Sequence, residues 1–268
     1  MFRLQSFRVF IASNIVLLMA PYGKSPERII PSETPSGILA LHLKRYQFAR
    51  KYVRDKRVLD MACGVGYGSL YLAEISMKVI GADIDGEAIR YAKQHYCGPD
   101  NLNFVQADGT HAAFADCQFD VLCSFETIEH VPDAYLFLRE VKRLLTPDGV
   151  FIVSTPVVPR SVLRPSNPYH YQEWNPADFN RLLCESFNTV ELFGQFRRET
   201  STAHWIKRLD VLKLRARLLP LWVTRGAAQL LGVRAMADLQ MEDIFIMRGD
   251  LRRASEIVAV ASDENHRD

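Results

Sequence analysis

The sequence predicts an α/β fold: a doubly wound, mostly parallel sheet of seven strands, with a helical insertion between strands six and seven. Three observations lead there. Short apolar runs alternate with stretches of helical period, as successive βαβ units require. The run Val58-Leu59-Asp60-Met61 passes into a turn with glycines at alternate positions, Gly64, Gly66 and Gly68, before a helical pattern begins. Three acids, Asp60, Asp83 and Asp108, each close a successive apolar run, and in open α/β sheets ligands bind outside the carboxyl ends of the strands.

The elements follow in order. Ser36 reads as the cap of a helix reaching about residue 53, with Ile38, Leu39, Leu41, Tyr46 and Ala49 near helical spacing. Residues 58–61 form the first strand, and 69–75 continue the helix behind the glycines. Residues 78–83 are the second strand, and 87–96 a helix stopped by Gly98-Pro99. Residues 102–106 are the third strand. Residues 119–125 are the fourth, nearly all apolar, as a strand buried on both faces is. Residues 134–145 are amphipathic, with Leu138, Val141, Leu144 and Leu145 inward. Pro147-Asp148-Gly149 turns into strand five, 150–154. A loop rich in proline and aromatics spans 156–175. Then come a helix over 176–186 capped by Asn175, strand six at 189–193, and a last strand at 257–261.

The chain has 268 residues, 48% hydrophobic and 24% charged, enough for one large α/β domain with an appendage and a substantial core. Five cysteines, an odd number without a CxxC pair, point to reduced thiols in a cytoplasmic setting and away from a zinc ribbon or a disulfide framework. The net charge of +2 gives no reason to expect nucleic acid or membrane. Arg3 and Arg8 precede an apolar stretch over 9–18 that is too short to span a bilayer and lacks a good cleavage site. Residues 1–25 are therefore expected to be a poorly ordered or mis-called extension, with Met19 as the true start. The main domain is expected over 26–196 and 251–263. Residues 197–250 are expected to be a helical basic insertion, since between 197 and 234 only Glu199 and Asp210 oppose nine Lys and Arg. It reads as a cap or an oligomer contact. The sharper readings, capture of an anionic substrate or peripheral membrane contact through 197–234, are not favoured, and the oligomeric state is not legible.

The turn and its acids describe a ligand. Glycines permit unusual backbone angles and close approach, and the helix start behind them presents free N–H groups. Asp83 is placed to accept both hydroxyls of a ribose and Asp108 to accept from an exocyclic adenine amine. Asp60 can orient the turn or meet an ammonium. The spacing differs from the G-x-G-x-x-G turn of nicotinamide-binding units, which argues against an oxidoreductase. Here the chain resembles the class I S-adenosylmethionine-dependent methyltransferases. Residues 58–66 are similar to the family's first motif, with Ala62 where glycine is usual. Gly81-Ala82-Asp83-Ile84-Asp85 resembles the ribose-binding motif, Ala107-Asp108-Gly109 the adenine-binding one, and Leu144 to Gly149 the turn before strand five, with Asp148 where glycine is common. The likeness covers roughly residues 27–195 and the final strand. It implies a Rossmann-like methyltransferase fold, S-adenosylmethionine as cofactor, and cofactor contacts at Asp60, Ala62, Gly64, Gly66, Asp83, Ile84, Asp108, Gly109 and Phe125. His42 to Ala49 resembles the helix that lies over the cofactor in methyltransferases of bacterial glycan and secondary-metabolite clusters. Arg45 and Tyr46 would then close on the cofactor carboxylate or the acceptor; alternatively Tyr46 is core and Arg45 a surface charge.

A second constellation concerns the reaction. Glu126, Glu129 and His130 stand at i, i+3 and i+4 after strand four, so one helical turn would bring them to one side. His170 follows strand five. Two carboxylates and two imidazoles can hold a divalent cation with positions left open. The pattern resembles the ubiquinone-pathway O-methyltransferases and the small-RNA 3′-terminal 2′-O-methyltransferases. It implies O-methylation of a small-molecule hydroxyl on a sugar or phenolic acceptor, with Mg2+ or another divalent cation held by Glu126, Glu129, His130 and His170, and with His130 and Glu129 catalytic. The alternatives are N- or C-methylation with His130 as general base, RNA 3′-end methylation, or a silent cofactor-binding subunit. No RNA-binding module is recognisable, so nucleic acid is not the expected partner.

Overall fold

The computed structural model describes residues 28–96, 98–198 and 239–263. The expected N-terminal extension and positions 199–238 of the expected insertion lie outside them.

The described chain runs α1 (Ser36–Ala49), β1 (Arg57–Met61), α2 (Tyr67–Ala73), β2 (Lys78–Asp83), α3 (Gly86–His95), β3 (Leu102–Gln106), β4 (Phe119–Phe125), α4 (Ala134–Leu144), β5 (Leu145–Pro156), β6 (Val162–Leu163), β7 (Gln172–Glu173), α5 (Pro176–Cys184), β8 (Thr189–Arg197), β9 (Ile244–Met247) and β10 (Glu256–Ser262). All but β6 and β7 join one eight-stranded sheet, in the order β3-β2-β1-β4-β5-β10-β8-β9. The first five of these pair in parallel, and β10, β8 and β9 are antiparallel. The doubly wound architecture is as the sequence predicts, with one strand more. That strand, β9, lies within the segment expected to be helical. Ile244-Phe245-Ile246-Met247 is a short apolar run that completes the edge beside the end of β8, where Arg197 pairs with Ile244 and Gly194 with Met247.

Successive residues along the central strands feed two cores, as side-chain alternation demands. Val58, Val79, Val121 and Cys123 pack with α1, α2 and α3 on one face. Leu59, Ile80, Leu122 and Phe151 pack with α4 and α5 on the other. Asp85, Asp133 and Asn175 cap α3, α4 and α5 through their side-chain oxygens. Two local expectations differ. Pro35, not Ser36, is the N-cap of α1, which ends at Ala49. Pro147-Asp148-Gly149 falls inside β5, where it forms an irregularity between the pairs Phe119–Leu145 and Val121–Val150.

The strand order reverses at β1, which lies between β2 and β4, and a ligand crevice belongs at such a switch point. The three acids climb across it. Asp60 pairs with Gly81, and Asp83 pairs with Gln106, so Asp83 and Asp108 each stand two residues further along than the acid before. Asp60 is consequently fully buried, Asp83 half-buried and Asp108 exposed.

Asp60 receives Ser69 Oγ at 2.6 Å and Tyr46 Oη at 3.3 Å. Burial pushes its carboxyl up to about 7, the two hydroxyls oppose that rise, and Asp83 adds to it. The glycines divide their labour. A Cβ on Gly68 would lie 1.9 Å from the Tyr46 ring, and one on Gly66 would lie 2.5 Å from Phe104, whereas one on Gly64 would meet nothing within 4 Å. Gly68 therefore admits Tyr46 and Gly66 admits Phe104. Only Gly64 faces open space. Ala62 has φ 61°, the left-handed region, which costs an L-residue about 1–2 kcal/mol.

Two outcomes follow. Ala62→Gly relieves that strain, partly offset by the greater unfolded-state freedom of glycine, and is expected to raise stability by about 0.5–1 kcal/mol in chemical denaturation; a loss of stability would contradict the assignment. Because the folded state holds the Asp60 proton well above the ordinary carboxylate range, the Asp60 contribution to stability is complete below about pH 4 and is lost as pH rises through about 7. Denaturation curves of the cofactor-free protein at pH 5 and pH 8 should show a smaller difference in Asp60→Asn than in the parent; equal differences would refute it.

Candidate active site

A cleft of about 940 Å3 opens at the carboxyl ends of β1, β2 and β4, walled on one side by α1 and on another by the loop after β5. Of the expected cofactor contacts, Ala62, Gly64, Asp83, Ile84, Asp108, Gly109 and Phe125 line it. Asp60 and Gly66 do not; they sit behind the turn and shape it.

Asp83 is fixed by two amides. Its Oδ2 accepts from Gly64 N at 2.8 Å and its Oδ1 from Asp85 N at 2.9 Å. Burial raises its pKa, and these bonds and Arg28 work against that rise. The acid thus joins the glycine turn to the end of β2 while facing the cleft. Asp108 Oδ1 accepts from Thr110 N at 2.8 Å and Thr110 Oγ1 at 2.7 Å, and these bonds hold its carboxyl below the usual range. Ile84, 66% exposed, lies beside Asp83 and offers an apolar surface to a flat ring. Sequence reasoning missed Arg28, which pairs with Asp85 at the cleft wall. A lone arginine eight residues before the first helix carries no signal of that contact.

The reaction end departs from the expected pattern. Glu126 has φ 52°, and the single turn of 3-10 helix starts only at Ile128 and ends at His130. The helical spacing that would align Glu126 with Glu129 and His130 is therefore absent. Glu126 instead accepts from Ser154 Oγ at 2.7 Å and lies 3.9 Å from Arg45 Nη1. Glu129, His130 and His170 do come together, with candidate ligand atoms all within 4.8 Å of one another. The two imidazole centroids are 4.7 Å apart.

Hydrogen bonds set the tautomers. His130 Nδ1 lies 3.0 Å from the Tyr169 carbonyl, and His170 Nδ1 lies 2.6 Å from Glu173 Oε1. Both partners accept, so each neutral ring carries its proton on Nδ1 and its lone pair on Nε2. Glu129 is 1% exposed. Its Oε2 accepts from Thr155 Oγ1 at 3.0 Å, while Oε1 has no hydrogen-bond partner among the described residues. Burial, and next the Glu126 charge, push its pKa well up. The Tyr171 N–H to Glu129 carbonyl bond, 2.7 Å, ties the post-β5 loop to the 3-10 turn and so brings His170 beside His130.

Tyr46 is buried in the core, with its ring edge-on to Phe125 at 4.9 Å, and also forms part of the cleft wall. Arg45 is neither a surface charge nor part of the cleft lining. It is 1% exposed and lies 4.0 Å from Glu256 as well as near Glu126.

Comparison with known proteins agrees with this geometry. A family model described as a methyltransferase domain matches residues 59–153, from β1 into β5. A probable S-adenosylmethionine-dependent methyltransferase of Mycobacterium tuberculosis is 30% identical over 232 residues, 80% of each chain. A protein of Mycolicibacterium smegmatis named fatty-acid O-methyltransferase is 30% identical over 168 residues, 61% of this chain and 58% of its own. The YcgJ protein of Bacillus subtilis, 18% identical, superposes with a TM-score of 0.54 over 84% of this chain and 100% of its own, which speaks to fold alone. Among the described residues no helix is long and apolar enough to cross a membrane. Sequence likeness over four-fifths of both chains, with Gly64 of the glycine turn, Asp83 and Asp108 around one cleft, establishes that this chain belongs to the S-adenosylmethionine-dependent methyltransferases, with S-adenosylmethionine as its cofactor.

Proposed function

We propose that the chain transfers the methyl group to an oxygen of a small-molecule acceptor, a sugar or phenolic hydroxyl, and that Glu129, His130 and His170 hold a divalent cation at the acceptor end. The observation that carries this reading is the cluster itself, one ligand atom from each of Glu129, His130 and His170 within 4.8 Å of one another, together with a buried Glu129 oxygen that has no hydrogen-bond partner among the described residues. Metal-ligating histidines characteristically give their other N–H to a carbonyl or carboxylate, as His130 and His170 do. Two imidazoles favour a cation such as Mn2+ or Zn2+ over Mg2+. The name of the Mycolicibacterium smegmatis relative supports oxygen as the methylated atom.

When bound, the cation would supply Lewis acidity that lowers the pKa of the acceptor hydroxyl. The protein's own groups do the rest. Asp83 and Asp108 seat the adenosine, and the turn at Gly64 lets it lie close to the backbone. Thr155, Tyr169 and Glu173 fix the orientation of Glu129 and the two rings, and placing the acceptor oxygen in line with the sulfonium methyl supplies much of the rate. The Nδ1–H bond of His130 equally suits its Nε2 to accept a proton, which is the basis of the metal-free reading as a general base.

Calorimetric titration of the chelator-treated protein with MnCl2 is expected to show one site, weakened at least about tenfold by His170→Ala or Glu129→Gln and unaltered by Glu126→Gln. No binding, or binding indifferent to the first two changes, would remove the metal. Methyl transfer to a panel of phenols and sugars is expected to fall about 10²- to 10⁴-fold in His130→Ala with cofactor affinity unchanged. Full activity in that variant would remove the catalytic assignment, and full activity after thorough chelation would leave the general-base reading in its place.

A further inference from the structure

S-Adenosylmethionine ends in an amino acid, and its carboxylate needs a donor. Arg28, the one Lys or Arg that lines the cleft among the described residues, pairs with Asp85 on the β2 side. Arg45, the natural candidate, is sealed from the cleft between Glu126 and Glu256. Of α1, His42 and Tyr46 both line the cleft, but the Tyr46 hydroxyl is given to Asp60, which leaves His42, one turn before it on the same face of α1. Tyr46 itself packs edge-on to Tyr67 and Phe125, with centroids 6.0 and 4.9 Å away. This is the side of the cleft away from Asp108.

Arg45 Nη2 lies 2.9 Å from His42 Nδ1. A guanidinium only donates, so Nδ1 must accept, and the proton of the neutral ring resides on Nε2. The bonding thus fixes one tautomer and, with the guanidinium behind it, polarises the remaining N–H. Burial and the Arg45 charge both disfavour an imidazolium here.

We infer that His42 binds the cofactor carboxylate through Nε2–H and that Arg45 is the positioning residue that fixes its tautomer. The positive charge acts on the carboxylate through the ring and never enters the cleft. The ammonium of the same amino acid has Glu126 as a neighbouring carboxylate on the cleft wall.

The test needs no acceptor. S-Adenosylhomocysteine carries the amino-acid end, and 5′-methylthioadenosine is the same nucleoside thioether without it. In calorimetry on the full chain, His42→Ala should weaken S-adenosylhomocysteine about tenfold or more and leave 5′-methylthioadenosine unchanged, which also reports an intact fold. His42→Gln, which keeps an N–H near the Nε2 position, should recover part of the loss. Imidazole 15N NMR should show the Nε2–H tautomer, with its signal moved by S-adenosylhomocysteine and not by 5′-methylthioadenosine, and Arg45→Met should mix the tautomers. Equal weakening of both ligands, no weakening, or an Nδ1–H tautomer in the parent protein would overturn the inference.

Discussion

The buried carboxyl of Asp60 is the interaction on which the rest of the molecule depends. It sits at the bottom of the switch point, where β1 parts β2 from β4, and takes hydroxyls from α1 through Tyr46 and from α2 through Ser69. A polar group so deeply buried is costly unless hydrogen-bonded, so both helices are held at a fixed distance from the strand. Gly68 must then lack a side chain, because Tyr46 occupies the space one would take. The turn that receives the cofactor is in this sense shaped from behind, by the buried Asp60 carboxyl and the two hydroxyls it holds.

The same logic extends towards the acceptor end. Helix α1 carries Arg45 next to Tyr46, and Arg45 stands between Glu126 after β4 and Glu256 at the start of β10. Removing one partner of a buried charge set leaves the others uncompensated, at a cost of several kcal/mol. With Glu126 held by Arg45 and Ser154, the chain turns through a left-handed residue and starts its 3-10 turn late, leaving Glu129 and His130 to meet His170. The cluster is therefore a product of backbone geometry at Glu126 as much as of side-chain identity.

Much of this was legible in the sequence. The elements β2, β3 and β4 appear with the predicted boundaries, because uninterrupted apolar runs bounded by acids and glycines admit few other readings. The meeting of Ala62, Gly64, Asp83 and Asp108 at one cleft was legible because these residues sit at strand ends, where spacing along the chain maps directly to space. Three things were hidden. The stagger of Asp60, Asp83 and Asp108 depends on strand register, which no single strand reveals. The fourth supposed ligand, Glu126, was misplaced by assuming a helix where one backbone angle forbids it. The burial of Arg45 depends on Glu256, more than 200 residues away in the chain, and no local pattern announces such a partner.

The proposed cation site consists of Glu129, His130 and His170, without Glu126, and faces the methyl donor. Anomalous diffraction at the manganese edge, from crystals grown with S-adenosylhomocysteine and MnCl2, tests it most directly. One strong peak is expected within bonding distance of Glu129 Oε1 and both Nε2 atoms, with Glu126 still turned towards Arg45 and Ser154. A cleft holding S-adenosylhomocysteine with no peak at the three residues, or a peak that draws Glu126 into the ligand set, would contradict it.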